Sequence, residues 1–225
     1  MPDTIRLFNK VAKHYDALNT FFSLGLDSRW RRRLSEEIRD SELVLDIATG
    51  TGEVAIEIIK NVKRCRVIGA DPSSQMLKLA REKIGSGGIT GRIALCQCGA
   101  ELLPFKNNTF DAVTIAFGIR NTMDPQKSLS EMRRVLKPGG KACILEFALP
   151  RNYLFSLFYL FYFRNFLPLI GSLFGTGNEY KYLSDSTSSF PQRELFVRLM
   201  EGTGFSVEKS VELTFGVAII YIGIK

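Results

Sequence analysis

The sequence predicts an α/β fold: a doubly wound, mostly parallel sheet with helices on both faces. Apolar runs of strand length alternate with helical stretches of about ten residues, which is the pattern of strand–helix–strand units. The first run, Leu43 to Ala48, passes into the stretch Gly50-Thr51-Gly52, and the next run ends in a carboxylate, Asp71. Sheets of this kind bind ligands outside the carboxyl ends of their strands, so these residues predict a ligand site there.

Each element follows from apolar periodicity and turn residues. The N-terminal region (1–40) is expected to be helical, because apolar side chains recur at helical spacing at Phe8, Val11, Ala12 and Tyr15. Then we expect a helix at 28–39, a strand at 43–48, a helix at 53–62, a strand at 66–70, a helix at 73–84, strands at 92–97 and 112–117, a helix at 125–135, a strand at 142–147, a helix that includes 196–201, and a closing antiparallel pair at 206–213 and 217–224.

The helix at 125–135 has clear signals at both ends. Asp124 is expected to cap it, with Pro125 at its first position. Lys137-Pro138-Gly139-Gly140 is expected to be the turn that leads into the strand at 142–147.

The chain is expected to form a single domain, because 225 residues with 45 % hydrophobic and 24 % charged residues suit one compact core. Within it we expect an N-terminal helical cap (1–40), a cofactor-binding core (41–150), an aromatic lid insertion (151–190), and a C-terminal helix with strands that complete the sheet (191–225).

The net charge of +7 could suit nucleic acid or an anionic membrane surface. The basic residues are scattered, however, and Arg31-Arg32-Arg33 is the one tight cluster. This cluster is interpreted either as a solvated helix face or as a contact with anionic lipid headgroups.

The cysteine and histidine content argues against a metal site. The four cysteines lack zinc-ligand spacing and are expected to be reduced and largely buried in a cytosolic protein. The single histidine, His14, excludes a His-rich metal site and leaves little room for a Ser-His-Asp triad. No signal peptide is expected, because Asp3, Arg6 and Lys10 interrupt the first residues and no apolar run follows.

An aromatic segment, Tyr153 to Phe174, holds nine of the chain's 25 aromatic residues. The uncharged run at its start, Asn152 to Phe163, has twelve residues and is too short to span a bilayer. Two interpretations remain: the aromatics pack on the sheet, or they form a lid that touches an apolar substrate or the membrane interface.

The residues around the glycine-rich turn favour one class of adenosine cofactor. Asp71 can accept hydrogen bonds from both ribose hydroxyls, as in dinucleotide sites. Asp46 lies just before the turn, where its charge would repel a pyrophosphate but could accept a hydrogen bond from an ammonium group. Ala55 stands at the place of the third glycine of a dinucleotide motif, an exchange that such motifs tolerate, so the glycine pattern alone leaves NAD open. The position of Asp46 favours S-adenosylmethionine over NAD.

Motifs along nearly the whole chain resemble one family. They are Tyr15-Asp16-Ala17-Leu18-Asn19, Ser23, Gly25, Trp30-Arg31, the Asp46 loop, Ala100-Glu101-Leu102-Leu103-Pro104-Phe105, Phe117-Gly118-Ile119-Arg120-Asn121, Arg134-Val135-Leu136-Lys137-Pro138-Gly139-Gly140, Leu145-Glu146-Phe147, Tyr180-Lys181-Tyr182-Leu183 and Ser186. In this order and spacing the chain resembles the class I S-adenosylmethionine methyltransferases, with a Rossmann-like sheet, and more narrowly the ubiquinone/menaquinone biosynthesis C-methyltransferases.

The resemblance implies S-adenosylmethionine as cofactor and a set of residues that bind it: Asp46, Gly50, Thr51, Gly52, Asp71, Gly99 and Ala100. Gly99 departs from the family, which usually has Asn or Asp there, so adenine would contact the backbone alone. Asp27 replaces a usual His and Leu18 a usual Met, and both changes concern the substrate wall.

The resemblance also implies C-methylation of a polyprenyl quinol in menaquinone or ubiquinone biosynthesis, with a weak preference for demethylmenaquinol. Arg120 is expected either to stabilise a phenolate or to form a structural ion pair, and Tyr15 either to orient a water or the substrate hydroxyl or to cap the pocket. Expected on the substrate side are Asn121, Tyr182, Ser186, Phe158 and Tyr162.

Other functions fit the residues less well. A nucleic-acid methyltransferase would carry an Asn/Asp-Pro-Pro-aromatic loop or a Pro-Cys nucleophile, and the chain has neither in those places. Methylation of another small molecule, an NAD-dependent oxidoreductase and a membrane-docking module without activity are the remaining alternatives. The protein is expected in the cytoplasm, in transient contact with the inner face of the cell membrane and without nucleic acid; a homodimer is compatible with the sequence.

Overall fold

The computed structural model of the chain describes residues 20, 23, 25–89, 91–151, 186–187 and 189–225. These residues form a seven-stranded sheet in the order β3-β2-β1-β4-β5-β7-β6. The elements are α1 (Asp27–Glu36), β1 (Leu43–Ile47), α2 (Glu53–Asn61), β2 (Arg66–Ala70), α3 (Ser74–Ser86), β3 (Ile93–Cys96), β4 (Phe110–Ala116), a 3₁₀ turn (Ile119–Asn121), α4 (Pro125–Val135), β5 (Leu136–Phe147), α5 (Glu194–Gly202), β6 (Ser206–Leu213), a 3₁₀ turn (Thr214–Gly216) and β7 (Ala218–Ile224).

The doubly wound prediction is confirmed. Strands β1 to β5 pair in parallel, and β7 lies antiparallel between β5 and β6. One apolar cluster packs α1, α2 and α3 on the sheet through residues such as Leu34, Ile58 and Ala80. A second cluster packs α4 and α5 on the other side through Leu129, Met132 and Phe196. Helices therefore cover both faces, as parallel strands buried on both sides require.

Helix starts follow the predicted chemistry. Asp124 caps α4 by accepting a hydrogen bond from the Lys127 amide at 3.0 Å, and Pro125 stands at the first position. Ser73 caps α3 in the same way through the Met76 amide at 3.1 Å. These caps lie just after β2 and β4, so they fix where the chain turns at the carboxyl edge of the sheet.

The prediction for Lys137-Pro138-Gly139-Gly140 was wrong in one respect. These residues belong to β5, which begins at Leu136 rather than Ala142. The Gly139 amide donates to the carbonyl of Lys225, and the Lys225 amide donates to that of Gly140, at 3.2 and 3.0 Å. This pairing with the end of the chain keeps the segment in the sheet, and the irregularity shows as a register shift against β4.

The basic cluster of α1 is not a uniform solvated face. Arg31 is buried and pairs with Asp27 and Glu53, Arg33 pairs with Glu36 and Glu37, and Arg32 is exposed. Arg31 therefore links α1 to the start of α2 by an ion pair. The interpretation as a solvated helix face holds for Arg32.

Cys65 and Cys143 are buried, Cys96 and Cys98 are partly buried, and all four are free thiols. None of the described helices is long and apolar enough to cross a membrane. Residues 1–19, 21–22 and 24 of the N-terminal cap fall outside the described residues, as does nearly all of the aromatic lid insertion.

Candidate active site

A cleft of about 750 Å³, its open mouth included, lies at the carboxyl edge of the parallel strands. The turns after β1, β2, β3 and β4 all contribute to its wall. Its lining consists of Ile47, Ala48, Gly50, Asp71, Pro72, Ser73, Met76, Gly99, Ala100, Glu101, Ala116, Phe117, Gly118, Asn121, Thr122 and Met123.

Asp71 is held firmly but keeps hydrogen-bonding capacity toward the cleft. Its carboxylate accepts the amide of Gly50 at 2.9 Å and that of Ser73 at 2.8 Å. Burial raises its pKa, while these two amide bonds oppose the rise. A carboxylate has about four acceptor positions, so about two remain for the paired hydroxyls of a ribose.

The glycine-rich turn brings its backbone close to the cleft. Gly52 lies in the left-handed region at φ 86°, and a Cβ there would come within 3.3 Å of the Ala80 side chain. Glycine at 52 thus meets both the backbone conformation and the close packing of α3. Ala48 also has a positive φ, 51°, although it carries a side chain. The turn is therefore built tightly between β1 and α3.

Asp46 holds the turn by hydrogen bonds on the side away from the cleft. Its carboxylate accepts the hydroxyls of Thr49 at 2.6 Å and Thr114 at 2.7 Å. Burial raises its pKa from 3.8 to about 6, against the effect of these two bonds. Asp46 does not belong to the described lining of the cleft. In this arrangement it ties the turn after β1 to the neighbouring strand β4.

Thr51 is buried, and its hydroxyl accepts a hydrogen bond from Lys83 Nζ at 3.2 Å. Lys83 also pairs with Glu53 at 2.6 Å. Thr51 and Gly52 therefore face α3, and neither is part of the described lining of the cleft.

Arg120 forms a buried ion pair with Glu146, whose side chains are 5 % and 1 % exposed. Arg120 Nη1 also donates to the carbonyl of Phe117 at 2.8 Å, and the guanidinium lies 5.4 Å from the centre of the Phe147 ring. Burial raises the pKa of Glu146, with Arg120 and the Phe147 amide opposing it. The pair stands at the carboxyl ends of β4 and β5.

Comparison with known proteins decides the family. The sequence pattern of the ubiE/COQ5 methyltransferase family matches residues 4–225. The chain belongs to the ubiE/COQ5 methyltransferase family. The expectation of a methyltransferase that depends on S-adenosylmethionine is thereby confirmed.

Two relatives illustrate the similarity. The ubiquinone/menaquinone biosynthesis C-methyltransferase UbiE of Geobacter sulfurreducens is 48 % identical over 222 residues, which cover 97 % of this chain and 87 % of the relative. The demethylmenaquinone methyltransferase of Thermus thermophilus is 41 % identical over 220 residues, 96 % of this chain and 99 % of the relative.

Solved structures support the fold. A SAM-dependent methyltransferase from Thermotoga maritima aligns with a TM-score of 0.66 at 20 % identity over 99 % of both chains. Another from Aquifex aeolicus aligns with a TM-score of 0.57 at 19 % identity over 81 % of both chains. The class I methyltransferase sheet that the sequence predicts is therefore confirmed.

Of the cofactor residues expected for a ubiE/COQ5 methyltransferase, Gly50, Asp71, Gly99 and Ala100 line the cleft together. Asp46, Thr51 and Gly52 support its walls from outside the described lining, so their direct contact with the cofactor stays a prediction. On the substrate side, Asn121 lines the cleft, and its Nδ2 donates to the carbonyl of Phe117 at 3.0 Å.

Other expected residues lie apart from the described cleft. Ser186 is half-buried and does not belong to the described lining. Asp27 is buried, pairs with Arg31 and accepts the Ser23 hydroxyl at 2.9 Å. The expected residues that fall outside the described part of the chain are Tyr15, Phe158, Tyr162 and Tyr182.

Sequence reasoning missed two acidic residues of this ubiE/COQ5 methyltransferase. Glu101 lines the cleft and accepts the Met123 amide at 2.8 Å. Glu146 is the partner of Arg120. Both lie inside motifs that carried the family resemblance, and an acid within an otherwise apolar strand, as Glu146 is, was the available signal.

Proposed function

We propose that this chain transfers a methyl group from S-adenosylmethionine to a ring carbon of a polyprenyl quinol, and that demethylmenaquinol is its substrate in menaquinone biosynthesis. A benzoquinol of ubiquinone biosynthesis is the same chemistry on a different ring. One observation carries the proposal most directly: a cleft lined by the carboxylate of Asp71 at the end of β2 lies in a chain of which 97 % aligns with a UbiE relative at 48 % identity.

The residues present fit the cofactor. Asp71 would accept the ribose hydroxyls, and the Gly50 turn would face the amino-acid part. Gly99 and Ala100 would border the adenine with backbone groups. The cofactor supplies an activated methyl group, so the protein has to align the acceptor carbon and exclude water. Asp46 would act by holding the turn, through Thr49 and Thr114, in the shape that the cofactor needs.

On the acceptor side, a quinol ring carbon becomes nucleophilic when the neighbouring hydroxyl loses its proton, and a free phenol has a pKa near 10. Arg120 would stabilise the phenolate electrostatically even while it pairs with Glu146. Asn121 would contact the ring from the cleft wall. Tyr15, Tyr182 and Ser186 are proposed to orient the acceptor, as the family resemblance implies.

The prenyl tail needs apolar cover, which is worth about 25 cal/mol per Å². Phe158 and Tyr162 of the aromatic segment are proposed to supply it. Met123, which lines the cleft, is 64 % exposed, and Leu102, which follows the lining residue Glu101, is 77 % exposed. Together with the net charge of +7, these side chains support transient contact with an anionic membrane surface, where such a substrate resides.

Mass spectrometry of a quinol mixture tests the reaction. The purified chain is incubated with methyl-labelled S-adenosylmethionine and either demethylmenaquinol or its oxidised form, demethylmenaquinone. We expect the label on a ring carbon of the reduced compound and none on the oxidised one, because an oxidised ring carbon is a poor nucleophile. Absence of label from every quinol would refute the proposal.

Sedimentation with lipid vesicles tests the membrane contact. Binding to vesicles that contain phosphatidylglycerol should exceed binding to pure phosphatidylcholine and should fall with added salt. The double variant Leu102→Ser/Met123→Ser should bind less. Leu195→Ser, which changes an equally apolar side chain that is 62 % exposed on α5, serves as the control. Equal loss in both variants would contradict a role for Leu102 and Met123.

A further inference from the structure

The ion pair between Arg120 and Glu146 is incomplete on both sides. Arg120 Nε and Glu146 Oε2 are buried and have no hydrogen-bond partner, and they are two of only three such side-chain atoms in the described part of the chain. A buried polar atom without a hydrogen-bond partner destabilises the folded chain, and more strongly when the group is charged. One unpaired donor and one unpaired acceptor in a single ion pair therefore point to a missing polar group.

The pair lies beside the wall of the cleft, and neither Arg120 nor Glu146 belongs to the described lining itself. Arg120 belongs to the 3₁₀ turn Ile119–Asn121, and its neighbours Gly118 and Asn121 line the cleft. Its guanidinium holds the carbonyl of Phe117, which is also a lining residue. Glu146 is next to the last residue of β5. Both side chains thus start from the edge at which α/β sheets bind their ligands.

A hydroxyl group offers both hydrogen-bonding functions that these two atoms lack. An O–H can donate to a carboxylate oxygen such as Glu146 Oε2, and a hydroxyl oxygen can accept from an N–H such as that of Arg120 Nε. A ketone oxygen has no hydrogen to donate and would leave Glu146 unsatisfied. The two unpaired atoms therefore match the hydroxyls of a quinol better than the ketone oxygens of the corresponding quinone.

We infer that Glu146 accepts the proton of the acceptor-ring hydroxyl while Arg120 stabilises the phenolate, an inference that rests on the proposed function. The O–H bond breaks, the proton moves to Oε2, and the electron pair stays on the oxygen and activates the adjacent ring carbon. After methylation that carbon loses its hydrogen to solvent as a proton, and Glu146 returns its proton to the hydroxyl oxygen. One proton is released overall for each methyl group transferred.

The electrostatics agree with this role. Burial raises the pKa of Glu146, and a more basic carboxylate takes a phenol proton more readily. The described titratable groups that face it are Arg120 from the 3₁₀ turn and Tyr221 from β7. Burial raises the pKa of Tyr221 to about 12, with smaller effects from Arg193 and Glu194 at the start of α5. Tyr221 therefore does not ionise near neutral pH.

Glu146→Gln tests the inference because it keeps the size of the side chain and removes the proton acceptor. The matched control is Glu37→Gln, which makes the same change in a side chain that is 6 % exposed and is paired with Arg33 and Lys209. Single-turnover rates are measured from pH 5 to 9, and binding of S-adenosylhomocysteine is measured by calorimetry. Cofactor affinity should stay within about threefold in both variants.

In the wild type the logarithm of the rate should rise with pH until Glu146 is ionised and then become constant. Glu146→Gln should be slower by about 100-fold at pH 7, as is typical when a proton acceptor is lost. Its rate should keep rising through pH 9, because solvent must then take the proton. Glu37→Gln should keep the wild-type profile.

A Glu146→Gln profile of wild-type shape, or a rate loss below about threefold, would overturn the inference while leaving the proposed function intact. If the wild type labels no quinol, the proposed function itself fails. Should Glu146→Gln not bind S-adenosylhomocysteine, Glu146→Asp decides instead. It retains a carboxylate, so we expect a constant rate at high pH, about tenfold lower; an unchanged rate and profile would count against Glu146.

Discussion

Two aspartates end neighbouring strands of this sheet, and their hydrogen bonds give them different tasks. Asp71 is bonded by two backbone amides, which leaves acceptor positions toward the cleft that it lines. Asp46 is bonded by the hydroxyls of Thr49 and Thr114 and stays behind the turn. The same residue type therefore lines the cleft at one strand and holds the turn in place at the next.

Asp71→Asn should weaken binding of S-adenosylhomocysteine by about 10- to 100-fold, because hydrogen bonds to a charged group contribute about 1.5–3 kcal/mol. Asp111→Asn is the matched control: Asp111 also accepts two backbone amides, those of Glu42 and Leu43, but at the amino end of β1. Calorimetry should find its cofactor affinity unchanged. Similar losses in the two variants would show a general effect on the sheet instead of a ribose contact.

Asp46→Asn should change how stability depends on pH. The folded-state pKa of Asp46, about 6, lies above its ordinary value of 3.8. Between these values the folded chain binds the proton more tightly, so the free energy of unfolding of the wild type falls as pH rises. The free energy of unfolding of the variant lacks this decrease. The difference in free energy of unfolding, variant minus wild type, should therefore rise by about 2–3 kcal/mol from pH 4 to pH 7.

Urea unfolding of both proteins at several pH values between 4 and 7 measures that gain. Asp71 and Glu146 also have raised pKa values, but they are present in both proteins and cancel in the difference. A difference that stays constant with pH would mean that Asp46 is ionised throughout.

At the scale of elements, the turns after β1 and β4 are in close van der Waals contact. A Cβ on Gly118 would lie 2.6 Å from the Cβ of Ala48 and 3.1 Å from Ile115 Cγ1. Ala48 and Gly118 both line the cleft. The contact between these two turns therefore sets the local shape of the cleft.

Gly118→Ala should destabilise the fold by about 1–3 kcal/mol, the usual cost of overpacking, and should weaken S-adenosylhomocysteine binding because the two turns must separate. Gly85→Ala is the control, since a Cβ at this position of α3 meets open space. Replacing glycine in a helix is expected to be neutral or slightly stabilising there. Urea unfolding and calorimetry compare the pair, and equal stability of both variants would contradict the tight contact.

The sequence predicted elements well where local signals exist. The strands with their terminal acids, the Asp124 cap and the glycine turn all lie within short stretches, and they were found. What it missed depends on contacts between distant positions. Glu146 meets Arg120 across 26 positions and Asp46 meets Thr114 across 68. No local pattern encodes those pairings, so the orientation of Arg120 and Asp46 required the structure.

At the scale of the whole molecule, the strand order explains why the cleft is where it is. From β1 the chain moves outward through β2 to β3, and from β4 it moves outward in the other direction to β5. The order therefore reverses between β1 and β4, and the turns after these two strands diverge. Ligands of doubly wound sheets bind at this reversal. The cleft of this ubiE/COQ5 methyltransferase lies there, bordered by Gly50 and Gly118.

This architecture alone would also suit a dinucleotide. Selectivity for the cofactor should therefore be visible in the stability of the entire fold when each compound is added. Asp71 would suit the ribose of either cofactor, but the carboxylate of Asp46 lies behind the turn where a dinucleotide would place its pyrophosphate, and like charges in a buried site repel strongly. S-adenosylhomocysteine, whose amino-acid part carries an ammonium group, avoids that repulsion. At about 100 times its dissociation constant it should add about 2.7 kcal/mol of stability.

For a chain of this size that corresponds to a rise in melting temperature of about 5–10 °C. NAD at the same concentration should give no rise, and Asp71→Asn should lose most of the rise with S-adenosylhomocysteine. Differential scanning calorimetry with each compound makes the comparison. A rise with NAD as large as that with S-adenosylhomocysteine would mean that Asp46 does not select against the pyrophosphate of NAD. In that case, selection of the methyl donor would have to come from residues elsewhere in the cleft.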